Sequence, residues 1–303
     1  MSAEWEAWLG RRGEVVPGPY PVSVAAIGYV AEAVEDGLVL ERIAGPGIEI
    51  APPTFVNVAA RVPNWQPPSI KQRPVLLAAS IPLPADAAVN REVAQRFVAP
   101  LRIGDTVTSQ STIVAIEPKH TRLGDGFMVT EDIEHRNQRG ELVATTTNTA
   151  YRYDRNTVER QGGDAPRTPR TPRAPRGEGT RQDGEQVGGP IVLPITTTML
   201  VKAAGGVRDF IPLHHDDDTA RRSGLPSMFA SWSTLLAVIG RAIGEWCGLD
   251  APVQGVSMDM RRPVFLGRTL RCEGWARDGS RVDYALSTED GTCTTGTFEL
   301  GAP

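Results

Sequence analysis

The stretch from about Asp154 to Gly189 constrains the fold most, because it contains almost no apolar residue and is dense in proline, glycine, arginine and threonine. Such a stretch cannot bury a core, and its TPRTPRAPR segment favours an extended, solvated chain. The 303-residue chain is long enough for two cores. We therefore predict two folded domains, residues 1–153 and 190–303, joined by a disordered linker over residues 154–189.

Composition narrows the class of protein. With 40% hydrophobic and 22% charged residues, the chain is typical of a globular protein, and it has no apolar run of the roughly eighteen residues that a membrane span needs. The N-terminal sequence lacks the pattern of a secretory signal, so we expect a cytoplasmic protein that binds no membrane. The net charge of −4 provides no overall attraction to nucleic acid. The arginines of the predicted linker could bind RNA or an acidic partner, although a solvated spacer is the simpler interpretation.

The three cysteines, Cys247, Cys272 and Cys293, are widely spaced and form no CxxC pair. This spacing indicates neither a zinc site nor a redox couple, and we expect buried or half-buried thiols. The sequence therefore predicts no metal and no cofactor.

The two predicted domains share an order of elements. In the first, a helix at residues 23–34 and a short helix after Thr54 come before four strands. In the second, a strand at residues 195–202 and an irregular stretch come before a long helix at residues 228–246, which four strands follow. The predicted strands are rich in β-branched and aromatic residues and cover residues 95–98, 106–116, 126–135, 142–153, 256–262, 269–276, 281–287 and 292–300.

The long helix indicates the architecture. It has apolar residues and glycines on all sides, so its surroundings must cover most of its surface. An antiparallel sheet curved around one long helix is the hot-dog fold. Residues 96–105 and 261–268 also share a pattern of strand, proline, apolar pair and glycine turn, which indicates a duplicated domain. We predict an α+β double hot-dog fold, with two antiparallel sheets that each wrap around a central helix and join edge to edge.

The densest cluster of titratable residues is the sequence RDFIPLHHDDD, residues 208–218. Its histidines and carboxylates could bind a metal, but adjacent side chains diverge unless the backbone is irregular. The cluster could also be a solvated acidic loop in which Asp217 or Asp218 caps a helix. In a third interpretation, Asp209 and His214 share a water and act as a general acid and base.

Asp209-x-x-Pro-Leu-His214, followed by His-Asp, an Ala-Arg helix, Gly-Leu-Pro and a long apolar helix, resembles the hydratase motif of MaoC-like (R)-specific enoyl-CoA hydratases and dehydratases. The segment RRPVFLGRTLRCEGW extends this similarity. In the first half, IAPPTF, RFVAPLRIGDTV and GELVATTTNTAYRY resemble the degenerate N-terminal hot-dog domain of two-domain actinobacterial members. Those members include steroid-degrading and fatty-acid-synthase-type dehydratases.

The resemblance implies roles for named residues. Asp209 and His214 would activate a water, and the backbone N–H groups at Ser231 and Trp232 would form the oxyanion hole, although the family usually has a glycine near Trp232. The first half has carboxylates but no histidine at residues 34–38, which implies one active site per chain. Residues 50–65 would form the wall of the acyl tunnel. The residues that would bind substrate are Phe210, Phe229, Arg261 and Arg262.

The implied activity is addition or removal of water across the 2,3 double bond of an acyl thioester. The substrate would be an acyl-CoA or an acyl carrier protein thioester, and Phe210 favours bulky or branched acyl groups. Three alternatives stay open: a cyclase that uses an internal hydroxyl, a non-catalytic acyl-binding subunit, and a thioesterase. Thioesterases of this fold usually have a carboxylate in the central helix, which residues 228–244 lack. Two such chains could also pair as a homodimer.

Overall fold

The computed structural model describes residues 4–68, 76–121, 123–154 and 184–301. Most of the predicted linker, residues 155–183, therefore lies outside the described residues. Its last residues contact the second half, since Gln186 forms a β-bridge with Trp275 and the Val187 N–H donates to the Gly274 carbonyl at 3.0 Å. The boundary at residue 190 stays a prediction.

In both halves, helices come before four long strands, as predicted. The helices are α1 (Val24–Ala33), α2 (Gly37–Ala44), α3 (Val56–Ala59), α4 (Thr197–Gly206), α5 (Asp217–Arg222) and α6 (Trp232–Cys247). The strands are β1 (Val16–Pro17), β2 (Ala87–Phe97), β3 (Val107–Thr121), β4 (Gly124–Asn137), β5 (Leu142–Tyr153), β6 (Ile191–Pro194), β7 (Val253–Met260), β8 (Thr269–Ala276), β9 (Arg281–Thr288) and β10 (Gly291–Leu300). Single 3₁₀ turns lie at Glu4–Trp8, Pro53–Phe55, Leu77–Ser80 and Pro212–His214.

The strands form one ten-stranded antiparallel sheet in the order β1-β3-β4-β5-β2-β7-β10-β9-β8-β6. Strands β2 and β7 pair at the centre, from Glu92 opposite Asp259 to Arg96 opposite Gly255. Outward from this pair, each half contributes its strands in the same order, and the halves join edge to edge. The predicted α+β double hot-dog architecture is confirmed.

The duplication extends to single hydrogen bonds. The Gly104 N–H donates to the Val22 carbonyl at 2.8 Å, and the Gly267 N–H donates to the Ile195 carbonyl at 2.8 Å. Both glycines have positive φ, +88° and +80°, which suits the turn that precedes the next strand. These are the glycine turns of the repeated sequence pattern, so the pattern identifies equivalent positions in the two halves.

The two halves differ in what covers the inner face of the sheet. In the second half, α6 buries residues from Ser233 to Gly244 within a core that continues into the first half. In the first half, the equivalent helix α3 ends after Ala59. Short segments cover the sheet there instead, and they form a separate small apolar cluster of Ala78, Ile81, Leu83, Ile113, Ile116 and Val129.

The predicted strand at residues 195–202 is wrong, because most of this segment belongs to helix α4. Thr196 caps the helix with a side-chain oxygen that accepts from the Met199 N–H at 3.1 Å. Leu200 and Ala203 are then buried on one helix face. Helix α2 was not predicted, and the long helix begins at Trp232 rather than at residue 228.

Two further observations concern the composition-based predictions. Cys272 and Cys293 are buried and Cys247 is half-buried, and none forms a disulfide, as expected for structural thiols. Among the helices of the described residues, none has the length and apolarity to span a membrane.

Candidate active site

A tight turn brings Asp209 and His214 together. Helix α4 ends in a left-handed residue, Arg208 with φ +58°, and the Asp209 N–H closes the turn by donating to the Ala204 carbonyl at 2.9 Å. The Pro212–His214 3₁₀ turn then brings the chain back toward Asp209. As a result, His214 Nε2 lies 4.0 Å from Asp209 Oδ2, and the Asp209 side chain is 1% exposed.

A backbone carbonyl fixes the tautomer of His214. Its Nδ1 lies 3.0 Å from the Phe229 carbonyl oxygen, and because a carbonyl only accepts, Nδ1 carries the proton. In the neutral ring, Nε2 therefore has the lone pair on the side of Asp209. Burial lowers the pKa of His214, although the charge of Asp209 opposes this effect. His214 is therefore a neutral base near pH 7.

Arg61, from the first half, forms the closest charged contact of Asp209. Its Nη2 lies 2.6 Å from Asp209 Oδ2, and both side chains are almost fully buried. Arg61 Nη1 also donates to Ser233 Oγ at 3.2 Å, and Asn57 Nδ2 donates to the same oxygen at 2.9 Å. The ion pair therefore connects the candidate catalytic carboxylate to the first turn of α6.

Two polar atoms of this group are buried without a hydrogen bond to any described residue, Asp209 Oδ1 and Arg61 Nε. Buried polar groups in proteins are nearly always paired, so two unpaired atoms within one ion pair are unusual. A free carboxylate oxygen, a neutral imidazole nitrogen and a fixed cation side by side can hold and polarise a small polar reactant.

The N-terminus of α6 lies next to His214. Ser231 is the N-cap, and its Oγ accepts from the Thr234 N–H at 3.2 Å. This leaves the amides of Trp232 and Ser233 without an intrahelical acceptor, at the positive end of the helix dipole. Phe229, two residues before the cap, holds His214 through its carbonyl. The geometry is therefore compatible with the predicted oxyanion role for Ser231 and Trp232, which stays a prediction.

A cavity of about 350 Å³ opens beside this group. It lies mainly in the first half, between the sheet and the short segments that cover the sheet in place of a long helix. Neither Asp209 nor His214 is among its lining residues, but Arg61, which contacts Asp209, is. The lining includes apolar residues Trp8, Val16, Val62, Leu76, Leu77, Ile133 and Trp232, and polar residues Asn57, Arg61, Ser109, Ser111 and His135.

The remaining predicted substrate residues lie in different surroundings. Phe210 is 51% exposed beside Asp209, and the Phe229 ring packs edge-on against the His214 ring at a centroid distance of 4.7 Å. Arg261 Nε contacts Asp259 Oδ2 at 2.9 Å, and Arg262 Nη1 donates to the Asp290 carbonyl. Neither arginine lines the cavity, so their predicted binding of phosphates stays a prediction.

The acidic residues after His214 have structural roles. Asp216, rather than the predicted Asp217 or Asp218, caps α5, with Oδ1 accepting from the Thr219 N–H at 3.0 Å. Asp217 accepts from the Met228 N–H at 2.9 Å. Across residues 4–68, 76–121, 123–154 and 184–301, no group of three or more histidine, cysteine and acidic side chains could hold a metal ion.

The first half contains the counterpart of Asp209. Glu35 has φ +56°, as Arg208 does in the second half, and the following Asp36 N–H donates to the Ala31 carbonyl at 2.8 Å. Asp36 instead caps α2 through the Val39 N–H, and the adjoining segment has no histidine. The duplicated turn is therefore retained in both halves, whereas the Asp/His pair occurs only in the second.

Comparisons with known proteins agree with this architecture. Residues 24–146 match the family model of the FAS1-like dehydratase domain region. The 3-oxo-4,17-pregnadiene-20-carboxyl-CoA hydratase beta subunit of Mycobacterium tuberculosis is 27% identical over 77 residues, which is 25% of this chain and 60% of that relative. The match thus spans 60% of the length of this curated relative, which is less than two thirds.

Solved structures show the same fold over the whole chain. A MaoC-like dehydratase superposes with a TM-score of 0.72 at 18% identity, covering 99% of this chain and 100% of the other. A Mycobacterium tuberculosis protein described as having a double hotdog fold has a TM-score of 0.60 at 14% identity, covering 98% of both chains. The predicted double hot-dog fold is thereby confirmed, and the chain is similar over its whole length to a protein described as a MaoC-like dehydratase.

Proposed function

We propose that this chain adds or removes water across the 2,3 double bond of an acyl thioester carried by CoA or an acyl carrier protein. The observation that carries the proposal is the neutral His214 Nε2, 4.0 Å from the buried Asp209 Oδ2. The match to a FAS1-like dehydratase region and the relative named a CoA hydratase support the same reaction type.

The geometry suits activation of a water. A water oxygen at an ordinary hydrogen-bond distance of about 2.8 Å from each group can contact both Nε2 and Oδ2 across their separation. In hydration, His214 accepts one water proton while the oxygen bonds to the β-carbon, and it then returns that proton to the α-carbon. Asp209 orients the water and stabilises the imidazolium. Dehydration follows the same path in reverse.

Negative charge develops on the thioester oxygen during this reaction. The amide of Trp232, at the start of α6, is a donor without an intrahelical acceptor, and a preorganised donor of this kind typically contributes a factor of about 10² to 10³ in rate. We assign the acyl group to the cavity that Trp232 and Arg61 border. At roughly 30 Å³ per atom, its 350 Å³ accepts on the order of ten non-hydrogen atoms.

The test uses trans-2-enoyl thioesters of pantetheine, the arm that CoA and carrier proteins share. Hydration is followed as loss of the conjugated enoyl absorbance. We expect Asp209→Asn to lower kcat by about 10² to 10⁴. The matched control is Asp36→Asn, the same change at the equivalent position of the first half, where asparagine can still cap the helix. Equal activity in the two variants would rule out this role for Asp209, and release of free thiol without hydration would indicate a thioesterase.

A further inference from the structure

The wall of the acyl cavity that the sheet provides is polar. Ser109 and Ser111 on β3 and His135 on β4 line it, and Ser109 lies directly opposite His135 in the sheet register. In a site that binds a plain hydrocarbon chain, these positions would be expected to hold apolar side chains, as Ile133 does between them. The polar side chains of this wall therefore indicate that the acyl group is not a plain hydrocarbon chain.

A chain of four buried or half-buried side chains runs through this wall. Gln95 Nε2 donates to Thr146 Oγ1 at 3.1 Å, and Thr146 Oγ1 lies 3.0 Å from His135 Nε2. His135 Nδ1 in turn lies 2.9 Å from Ser109 Oγ. Burial lowers the pKa of His135 to about 4, so the ring carries a single proton at neutral pH.

The amide at one end sets the direction of these hydrogen bonds. Because Thr146 Oγ1 accepts from Gln95, its own hydrogen is directed to His135 Nε2. The single ring proton then lies on Nδ1, which donates to Ser109 Oγ. This leaves the Ser109 hydroxyl hydrogen free to donate into the cavity.

We propose that the acyl group bears a neutral hydrogen-bonding oxygen, a keto or hydroxyl group remote from the thioester, and that Ser109 donates to it. The inference rests on the proposed function for the identity of the ligand. An unsubstituted alkyl chain would leave the Ser109 hydroxyl hydrogen unpaired, which discriminates against such a ligand.

A carboxylate on the acyl group is the less favoured alternative. The cations that line the cavity already have partners: Arg61 pairs with Asp209, Arg12 pairs with Glu134 at 3.1 Å, and Arg11 lies over the Trp8 ring. The groups at the wall, the serine hydroxyls and a neutral histidine, match an uncharged oxygen better.

The experiment compares pantetheine trans-2-enoyl thioesters of one length, about ten carbons. One is unsubstituted, one ends in a carboxylate, and a series carries a keto or hydroxyl group at successive distal carbons. Hydration gives kcat/KM, and calorimetric titration of the Asp209→Asn variant gives the binding constant of each thioester without turnover. We expect at least one keto or hydroxyl compound to exceed the unsubstituted one by about tenfold in both measurements.

Ser109→Ala should remove that tenfold advantage, because the keto or hydroxyl compound loses its donor and the unsubstituted thioester, which no longer leaves this hydroxyl unpaired, should bind somewhat more tightly. The matched control is Thr108→Ala on the same strand, since the Thr108 hydroxyl bonds to the Arg136 carbonyl outside the cavity lining. The inference is overturned if the unsubstituted or carboxylate compound binds best, or if Ser109→Ala weakens all compounds equally. Absence of hydration across the series would instead contradict the proposed function, and the binding comparison would still decide the inference.

Discussion

The buried carboxyl of Glu131 lies on the same face of β4 as His135, close to the cavity wall. One oxygen, Oε2, accepts from the Ala78 N–H at 3.2 Å, and Oε1 has no hydrogen bond to the residues that the structure describes. Burial raises the pKa of Glu131 from 4.5 to about 7. The folded chain therefore retains a proton that the unfolded chain releases between these two values.

Stability should fall as pH rises through this window, because the folded state binds the proton and the unfolded state does not. The difference between 4.5 and about 7, at about 1.4 kcal/mol for each tenfold change in proton affinity, corresponds to about 3 kcal/mol. We predict that Glu131→Gln, which retains the shape without the titration, gains about 3 kcal/mol relative to wild type between pH 4.5 and pH 7.

The contribution of His135 to stability changes with pH in the opposite direction. Burial lowers its pKa from 6.5 to about 4, so the unfolded state binds the extra proton and stability rises as pH increases through that window. In the wild type, the contributions of Glu131 and His135 oppose each other where their windows overlap. Glu131→Gln should therefore reveal the acid sensitivity that His135 confers.

The assay is urea unfolding at a series of pH values, followed by circular dichroism, for wild type and Glu131→Gln. The control is Glu117→Gln, because Glu117 is an exposed glutamate on β3 and should leave the pH dependence unchanged. Curves of unfolding free energy against pH that run parallel for wild type and Glu131→Gln would refute the reasoning.

Four further predictions concern the site, the contact between the halves and helix α4. Arg61→Met, which leaves the buried Asp209 charge unpaired, should cost about 3 to 5 kcal/mol in urea unfolding, and Arg61→Lys should cost less; equal losses would contradict the ion-pair argument. Because burial lowers the pKa of His214, the hydration rate should fall with decreasing pH only below 6.5, and an acid limb above that value would contradict a buried neutral base. Gly240→Ala places a Cβ 2.6 Å from a threonine hydroxyl of the first half and should cost about 1 to 3 kcal/mol. Gly205→Ala, with nothing within 4 Å, should raise the thermal midpoint, since alanine favours a helix by about 1 kcal/mol.

Eight of the ten strands could be predicted in whole or in part because their β-branched residues and glycine turns are local signals. The short strands β1 and β6 were missed, and β2 was predicted only over residues 95–98. Strand β8 was predicted with the bounds that the structure shows, residues 269–276. The segment that forms α4 was not, because its three consecutive threonines favour a strand. Its helix depends on the Thr196 cap and on burial of the face that includes Leu200, and burial of that face is a tertiary effect.

The candidate site likewise combines residues that a local motif identifies with a residue that only tertiary contacts place there. Asp209 and His214 are close in sequence, so a motif can identify them. Arg61 lies in the other half of the chain and has no motif of its own, although the segment of residues 50–65 was expected to form the tunnel wall. The pairing of β2 with β7 and the core that the two halves share bring Arg61 beside Asp209. Sequence patterns do not report contacts of this kind.

The duplicated fold explains why the two halves depend on each other. Both retain the aspartate turn, at Asp36 and at Asp209, but the second half fills its sheet with α6, whereas the first half ends α3 after Ala59. That shortening leaves a cavity where the second half has a helix. Asp209 and His214 lie in the second half, whereas the cavity beside them is lined mainly by residues of the first half, which has no histidine beside Asp36. Arg61 belongs to the first half, which contains most of the cavity, and it pairs with the buried charge of Asp209 in the second half. The candidate site is therefore complete only when both halves fold together.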